Sequence, residues 1–287
     1  SLCRADKYVL QGRPFPLRFA TGLVTPKKRG LGLDFAGDVV EVGREVDDVR
    51  VGDAVYGEAV LGATWAEYAC VPARFVARKP RTLGYEEAAI VPDSALTALQ
   101  GLVREGRLVA GRRVLVNGAT GGVGSFAVQI AKARGAHVTA VCSRRHAESV
   151  RAWGADEVLA YETDDFTRGT ERYDMVFDVA GNHPLSALAR VIEPGGVIVA
   201  VGAPEGGVLG PGGRMIAIYL TSPFVAPRVA QFVESPDHDD LTTLAGLVDA
   251  GLVRPVLSRA FPLADTAEAF RFLADVRPAG KVGISVP

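Results

Sequence analysis

Residues 114–124 read Val-Leu-Val-Asn-Gly-Ala-Thr-Gly-Gly-Val-Gly, a short apolar run that enters a glycine-rich turn. Apolar residues then recur at spacings of three and four as far as Arg134, which predicts a helix, and Gly135 marks its end. Residues 136–142 form a second run with β-branched side chains, which predicts another strand. The order of strand, turn, helix and strand predicts a βαβ unit.

The glycines of this turn lie where a dinucleotide pyrophosphate would meet the free N–H groups and the positive dipole end of a helix. The usual G-x-G-x-x-G frame falls on residues 119–124, with alanine in place of the first glycine. Glycine-rich turns also join strands to helices for steric reasons alone, but here a strand precedes the turn and a helix follows it. We therefore predict a nucleotide-binding turn made of Ala119, Thr120, Gly121, Gly122 and Val123.

The end of the second strand indicates which nucleotide binds. An NAD site has an acidic side chain there, about 20 residues past the glycines. This chain has Ser143, Arg144 and Arg145 instead, and no carboxylate directly follows the strand. A hydroxyl and two guanidinium groups suit a ribose 2′-phosphate, so the pattern favours NADP(H). The alternative is that the two arginines only cap and solubilise the next helix.

Length and composition limit the classes of protein. A chain of 287 residues exceeds a typical single core, so we expect two domains. A net charge of −1 gives no reason to expect nucleic acid or an anionic membrane as a partner. No apolar run approaches the ~20 residues that span a bilayer. The first residues lack the features of a signal peptide, so we expect a cytoplasmic protein.

The cysteines and histidines show no metal or disulfide pattern. Cys3, Cys70 and Cys142 are an odd and widely separated set, which does not indicate a disulfide framework or a clustered zinc site. The four histidines have no ligand spacing either, and we expect them on the surface or in loops.

The region before the βαβ unit has the sequence pattern of a β-rich domain. Short β-branched runs between glycines predict strands at 35–43, 51–57 and 65–72, in a compact antiparallel or barrel-like arrangement. Residues 86–103 are rich in alanine and leucine and predict a helix that leads into the nucleotide domain.

After residue 145, helices alternate with apolar strands, which predicts a parallel, doubly wound sheet covered on both faces. The predicted elements are helices at 148–153 and 185–192 and strands at 157–159, 175–179 and 197–201. Ligand-facing crevices form at the ends of such strands. This reasoning adds four candidate cofactor-binding residues, which are Val179, Ala180, Val201 and Gly202.

The last segments leave the topology open. Residues 239–250 and 263–273 predict helices, and residues 281–286 predict a strand. These elements could extend the nucleotide sheet or return to the first domain, and periodicity does not decide between the two.

Several ordered motifs resemble one family over nearly the whole chain, from Ser1 almost to Val286. They are Asp34–Gly37, Val51–Gly57, Ala95–Leu102, Asn117–Gly124, Gly154–Asp156 and Ala279–Val282. Together they resemble the medium-chain dehydrogenase/reductase superfamily, and within it the zinc-independent quinone oxidoreductase and enoyl reductase branch.

The resemblance implies an α/β protein in which a Rossmann doubly wound parallel sheet is joined to a GroES-like, β-rich catalytic domain. It implies three segments: 1–93 as the N-terminal part of the catalytic domain, 94–232 as the NADP-binding domain, and 233–287 as a return to the catalytic domain. Members of the family normally have further strands upstream, so we expect this catalytic domain to lack its first strands.

The resemblance also implies roles for individual residues. Tyr161 matches a tyrosine beside the adenosine phosphate, and Thr97, Asn117 and Lys281 lie in matching motifs and are expected at the cofactor. A further set of positions concerns catalysis.

Tyr8 and Asp6 match the family's catalytic segment and are our candidate catalytic residues. Cys3 stands where quinone reductases commonly have asparagine, which bears on whether redox activity is retained. Tyr8 has an alternative role as a buried aromatic whose hydroxyl bonds to the backbone.

Zinc-dependent alcohol dehydrogenases of the same superfamily have a cysteine at the position of Cys3 and a histidine at that of Leu33. Leucine cannot bind zinc, which leaves Cys3, Asp34 and Asp93 as a nominal ligand set without an imidazole. We therefore predict that no catalytic metal is bound.

The leading functional hypothesis is an NADPH-dependent reductase of activated C=C bonds or quinones that acts on a small-molecule substrate. One alternative is an alcohol dehydrogenase, which needs a metal or a strong acid to manage the alkoxide. Another is an NADP-binding protein of the same fold with a non-redox or sensing role. Homodimers are common among proteins of this kind, so we also expect a homodimer.

Overall fold

The computed structural model describes residues 1–3, 6, 7, 10, 30–59, 62–203 and 210–286. These residues divide into two units, one formed by Ser1–Leu96 with Ser235–Pro287 and the other by Thr97–Glu234. The strands are β1 (Asp34–Asp38), β2 (Ala54–Glu58), β3 (Val76–Arg78), β4 (Arg113–Asn117), β5 (His137–Cys142), β6 (Glu157–Ala160), β7 (Tyr173–Asp178), β8 (Ile192–Ala200), β9 (Arg228–Gln231), β10 (Leu257–Pro262) and β11 (Lys281–Ser285). The α-helices are α1 (Tyr85–Ala88), α2 (Pro92–Gln100), α3 (Gly122–Ala133), α4 (Ala147–Ala152), α5 (Leu185–Ala189), α6 (Gly210–Thr221), α7 (His238–Asp249) and α8 (Thr266–Val276).

The second unit contains a six-stranded sheet in the order β6-β5-β4-β7-β8-β9, with every neighbouring pair parallel. Counted within the sheet this order is 3-2-1-4-5-6, which is that of the Rossmann fold. The strands read as near-continuous apolar runs because helices cover both faces of a parallel sheet. The predicted doubly wound parallel sheet is confirmed.

The strand order reverses between β4 and β7, so this pair forms the topological switch point of the sheet. In open α/β sheets, ligands bind in the crevice outside the carboxyl ends of the strands at such a point. The crevice lies next to the turn that starts α3.

The first unit is the predicted GroES-like, β-rich part. Strands β1, β2 and β3 form an antiparallel sheet in that order, with Val49, Val55 and Val76 packed together on it. The Tyr56 hydroxyl donates to the Leu241 carbonyl oxygen on α7, at 2.5 Å. Residues from both ends of the sequence thus build one core.

The last elements return to the first unit, which answers the question that periodicity left open. Strand β11 pairs in parallel with β10, and Leu2 forms a bridge with Val282. Phe261, Ala269 and Val282 pack with Leu2 in a small buried cluster.

One predicted strand is wrong. Residues 65–72 form bends and irregular backbone, and the third strand of the sheet is Val76–Arg78 instead. Trp65 makes its contacts outside any strand: its backbone N–H donates to the Leu31 carbonyl oxygen at 3.1 Å, its indole N–H donates to the Ser1 carbonyl oxygen at 3.1 Å, and its ring meets Phe270 edge-on. Residues 66–70 are exposed, so this segment is not a buried strand of the sheet.

Other element boundaries differ from the predictions. The helix predicted at 86–103 is divided into α1, α2 and a π-helical turn at Gly101–Glu105. The helix predicted at 185–192 ends at Ala189, because Ile192 already belongs to β8, whose register shifts near its start. Helix α6 and strands β9 and β10 were not predicted, and glycine and proline at residues 210–213 hide the helical pattern.

Candidate functional site

The glycine-rich turn at residues 118–124, which we call the glycine turn, links β4 to α3 in the second unit. Gly118 has a φ of +91°, and a Cβ there would lie 3.0 Å from the Ala180 nitrogen. A Cβ at Gly124 would collide with the Gly118 carbonyl oxygen and the Ala119 backbone. The turn therefore needs glycine at both positions in order to fold against the first turn of α3.

The start of α3 is open. Gly121 is the residue that precedes the helix, and no side chain caps the helix there. A Cβ at Gly121 would have the Gly118 carbonyl oxygen as its nearest neighbour, at 3.7 Å. Free helix N–H groups in uncrowded surroundings are the arrangement that binds phosphate groups. The residues present thus fit the pyrophosphate of a dinucleotide.

Strand-end residues from β4, β7 and β8 meet at the switch point. The N–H groups of Val179 and Ala180 donate to the Asn117 carbonyl oxygen, at 2.9 and 3.0 Å. Those of Val201 and Gly202 donate to the Asp178 carbonyl oxygen, at 3.0 and 3.1 Å. The structure thus brings together the predicted residues Asn117, Val179, Ala180, Val201 and Gly202.

A buried polar network supports these strand ends. The Asn117 amide donates to Asp178 Oδ1 at 2.8 Å and to Asn182 Oδ1 at 2.9 Å. The Asp178 side chain is fully buried, accepts from the Gly181 N–H at 3.0 Å, and forms an ion pair with Arg214. Because a buried charge needs partners, this network fixes the two strand ends relative to each other.

The residues at the end of β5 form a second part of the site, which we call the β5 corner: Ser143, Arg144, Arg145 and Tyr161. Ser143 is buried, whereas both arginines and Tyr161 are exposed, the tyrosine by 61%. The Arg144 guanidinium lies 3.4 Å from the Thr163 hydroxyl. Two exposed cations and an exposed phenol thus lie at this edge of the sheet.

Sequence reasoning missed one member of this corner. The Glu162 carboxylate accepts from the Arg144 N–H, with its two oxygens 3.2 and 3.1 Å from that nitrogen. The sequence predicted no carboxylate at the end of β5. None directly follows that strand, but the segment after the neighbouring strand β6 supplies one. The signal that could have found it is its position two residues after β6, because adjacent parallel strands end at the same edge.

Two predicted cofactor-binding residues, Thr97 and Lys281, lie in neither the glycine turn nor the β5 corner. Thr97 is half-buried on α2. Lys281 lies in the first unit, where its ammonium is bonded within the protein. The role of both residues at the cofactor stays a prediction.

A buried charge cluster in the first unit, which we call the lysine cage, joins Lys281, Asp34 and Asp93. The side chain of Lys281 is 4% exposed. Its ammonium lies 2.9 Å from Asp34 Oδ2 and 3.6 Å from Asp93 Oδ2. The Asp93 N–H donates to Asp34 Oδ1 at 2.8 Å. One cation thus faces two carboxylates inside the protein.

Burial and charge shift the pKa values of the lysine cage in different directions. Burial lowers the pKa of Lys281, but the two carboxylates outweigh it and the net pKa is raised. Burial raises the pKa of Asp34, but Lys281 and hydrogen bonds outweigh it and the net pKa is lowered. For Asp93, burial prevails and the pKa is raised.

Asp6 organises the backbone next to the cage. Its carboxylate accepts from the Cys3 N–H and the Gly32 N–H, both at 2.9 Å, and from the Cys3 thiol at 3.1 Å. Burial, followed by Asp93 and Asp6, raises the pKa of the Cys3 thiol well above its usual value. The other candidate catalytic residue, Tyr8, lies outside the described residues.

Comparison with known proteins matches both parts of this chain. Residues 1–139 match the alcohol dehydrogenase GroES-like domain, and residues 153–282 match the zinc-binding dehydrogenase family. The mitochondrial NAD(P)H oxidoreductase RTN4IP1 of Mus musculus is 33% identical over 279 residues, which cover 89% of this chain and 70% of that protein. The chain belongs to the medium-chain dehydrogenase/reductase superfamily.

Further relatives place it in the zinc-independent quinone oxidoreductase and enoyl reductase branch of the superfamily. The chloroplastic NADPH-dependent alkenal/one oxidoreductase of Arabidopsis thaliana is 35% identical over 263 residues, which cover 88% of this chain and 62% of that protein. The structure of the quinone oxidoreductase from Coxiella burnetii superposes with a TM-score of 0.86 at 28% identity, and covers 100% of this chain and 88% of that one. The chain is an oxidoreductase with a nicotinamide cofactor.

The lysine cage does not fit the zinc of the metal-dependent members of the superfamily. Leu33 stands at the histidine position, and both Asp34 oxygens are already engaged, one by Lys281 and the other by the Asp93 N–H. The Lys281 ammonium also faces Asp93. These carboxylates therefore surround a lysine rather than a zinc ion.

Within the part of the chain that the structure describes, no helix has both the length and the apolar character needed to cross a membrane.

Proposed function

We propose that this chain is an NADPH-dependent, metal-independent reductase of activated C=C bonds or quinones. The observation that carries the proposal is the β5 corner, where Arg144 and Arg145 are exposed beside the buried Ser143, on the same sheet as the open start of α3. The names of the relatives, an alkenal/one oxidoreductase and a quinone oxidoreductase, support the substrate class.

In this proposal the second unit holds the nucleotide. The start of α3 donates N–H groups to the pyrophosphate, since its first turn is uncapped and a ligand can approach Gly121 closely. Arg144 and Arg145 grip the 2′-phosphate, which guanidinium groups can bind in a bidentate manner. When bound, the nicotinamide supplies a hydride to the electrophilic carbon of the substrate.

In the proposal, the remaining chemistry falls to Tyr8 and Asp6. Hydride addition leaves negative charge on the substrate carbonyl oxygen as an enolate, which then takes up a proton from a side chain or water; in this proposal no metal stabilises that charge. In the proposal, the Tyr8 phenol donates a hydrogen bond to that oxygen, because a phenol with a reference pKa of about 10 keeps its proton at pH 7. Asp6 orders the surrounding backbone through its bonds to the Cys3 and Gly32 N–H groups.

Titration of Arg145→Ala with NADPH and NADH tests the cofactor assignment. Loss of one charged partner of the 2′-phosphate should cost about 1.5–3 kcal/mol of NADPH affinity and hardly change NADH affinity. Equal losses for the two nucleotides would contradict the assignment.

Tyr8→Phe tests the catalytic assignment. If the phenol acts in the transition state, turnover with an enone should fall roughly 10²- to 10⁴-fold with little change in NADPH affinity. Turnover is compared under conditions where an isotope effect shows that hydride transfer limits the rate. Unchanged turnover there would leave Tyr8 as a packing residue.

We also propose that two copies of this chain form a dimer through the second unit. Among the strands that the structure describes, β9 is the last in the sheet order, so one of its edges can pair with another chain. Large apolar side chains are exposed around it, among them Phe224 by 86% and Val233 by 83%, and Tyr219 and Leu220 on α6 are exposed as well. Exposed apolar patches of this kind mark interfaces.

Sedimentation velocity tests the dimer. The parent chain should sediment as a dimer, and Phe224→Asp combined with Val233→Asp should sediment as a monomer. Tyr68→Asp, which changes an exposed aromatic residue of the first unit, serves as the control and should remain dimeric. A parent chain that is monomeric at micromolar concentration would contradict the proposal.

A further inference from the structure

Glu162 reaches the β5 corner through the pairing of two parallel strands. Cys142, the last residue of β5, lies beside Ala160, the last residue of β6. The residues that follow both strands therefore leave the sheet at the same edge. Glu162 uses this proximity to accept from the Arg144 N–H with both carboxylate oxygens.

This contact occupies a group that an anionic ligand would otherwise use. The Arg144 N–H begins the short helical turn Arg144–His146, which precedes α4. A backbone N–H is a hydrogen-bond donor that a phosphate oxygen can accept from. With Glu162 bonded to it, a 2′-phosphate has to displace the carboxylate or lie beside a like charge.

The same carboxylate is suited to an unphosphorylated ribose. In NAD-binding Rossmann folds an acidic side chain at the end of the second sheet strand accepts from the ribose hydroxyl. A carboxylate offers about four acceptor positions, so Glu162 can keep its bond to Arg144 and still accept a hydroxyl. Here the acid comes from the adjacent strand rather than from the end of β5 itself.

The charged side chains at the β5 corner have opposite signs. Arg144 and Arg145 are exposed cations that attract a phosphate, and Glu162 is an exposed anion. Glu162 also influences its surroundings, since it adds to the effect of burial in raising the pKa of the Cys142 thiol. The β5 corner is therefore not a purely basic pocket.

We propose that Glu162 sets the balance between NADPH and NADH: its carboxylate, held at the Arg144 N–H, accepts from the ribose 2′-hydroxyl of NADH and repels the 2′-phosphate of NADPH. The proposal rests on the proposed cofactor function. It assigns Glu162 as a specificity-determining residue that opposes the two arginines, so that the preference for NADPH over NADH is smaller than the arginines alone would give.

Isothermal titration calorimetry of the full chain with NADPH and with NADH tests the proposal. In Glu162→Gln, the amide oxygen can still accept from the Arg144 N–H, but the charge is gone. The ratio of the NADH Kd to the NADPH Kd should rise about tenfold, because one like charge near the phosphate is removed and one charged acceptor for the hydroxyl is lost. The rise should shrink in 0.5 M NaCl, since exposed charges are screened.

Glu193→Gln is the matched control, because it removes the same charge from an exposed position near the start of β8, at the opposite end of the strands. The ratio should stay unchanged in this variant. A melting temperature within about 2 °C of the parent for Glu162→Gln would show that the fold is retained, as expected for an exposed position.

The outcomes separate this inference from the proposed function. If both nucleotides bind and Glu162→Gln leaves their ratio unchanged, the role of Glu162 is overturned and the cofactor function stands. If neither nucleotide binds the parent chain, both are overturned. A raised ratio that Glu193→Gln reproduces would also overturn the role of Glu162, because net charge alone would then explain it.

Discussion

Two regions of the molecule handle charge in opposite ways. In the lysine cage of the first unit, Lys281, Asp34 and Asp93 bond to one another inside the protein. In the second unit, α3 begins at the glycine turn without a capping side chain, and the arginines of the β5 corner are exposed. The charges of the first region bond to one another, whereas the second region has an uncapped helix start and exposed arginines.

The difference shows how charge serves the fold in one place and binding in another. A buried ion pair contributes little net stability, but removal of one partner leaves an uncompensated charge that is costly. Exposed donors contribute little to stability, so their substitution should mainly lower the affinity for the nucleotide. Substitutions in the two regions should therefore separate the free energy of unfolding from nucleotide affinity.

The largest effect is expected for Lys281→Met, which leaves the buried Asp34 carboxylate and the partly buried Asp93 carboxylate without the lysine. The free energy of unfolding should fall by about 3–5 kcal/mol, as measured by urea denaturation at pH 7. Lys132→Met is the control, because Lys132 pairs with Asp156 at a partly exposed site and should cost less than about 1 kcal/mol. Similar losses in the two variants would contradict the closed cage.

An intermediate effect is expected for the glycine turn. Gly124→Ala introduces a Cβ that collides with the Gly118 carbonyl oxygen, so the free energy of unfolding should fall by about 1–3 kcal/mol and NADPH affinity should fall as well. Gly121→Ala meets no close atom, so the fold should keep its stability while NADPH affinity falls about tenfold, because the methyl group blocks the pyrophosphate. Calorimetry and urea denaturation measure the two quantities. Equal stability of both variants would argue against the tight turn.

The smallest effect concerns the thiol beside the lysine cage. The raised pKa of Cys3 lowers its thiolate fraction at pH 8, and the thiolate is the species that reacts. Iodoacetamide should therefore modify the exposed Cys70 at least about tenfold faster than Cys3, as followed by peptide mass spectrometry. In Asp6→Asn the negative charge next to the thiol is lost, so Cys3 should react faster. Equal rates for Cys3 and Cys70 in the parent chain would show that its surroundings do not protect Cys3.

Local patterns were enough to predict much of the second unit. A strand, a glycine turn and a helix follow one another in sequence, and the parallel sheet follows from the alternation of helices and apolar strands. Prediction failed at residues 65–72, because contacts with distant residues, such as those of Trp65 with Phe270 and the Ser1 carbonyl oxygen, hold this segment in an irregular backbone. It also failed at α6, whose first residues are rich in glycine and proline.

The sequence by itself determined the βαβ unit, the glycine positions and the basic end of β5, because these depend on residues within about 30 positions of one another. Only the tertiary structure decided which distant groups meet. Lys281 and Asp34 are 247 positions apart, and the pairing of β11 with β10 brings Lys281 into the first unit. Glu162 reaches Arg144 because β5 and β6 end at the same edge. Sheet topology sets such contacts, and the local periodicity of the sequence does not encode that topology.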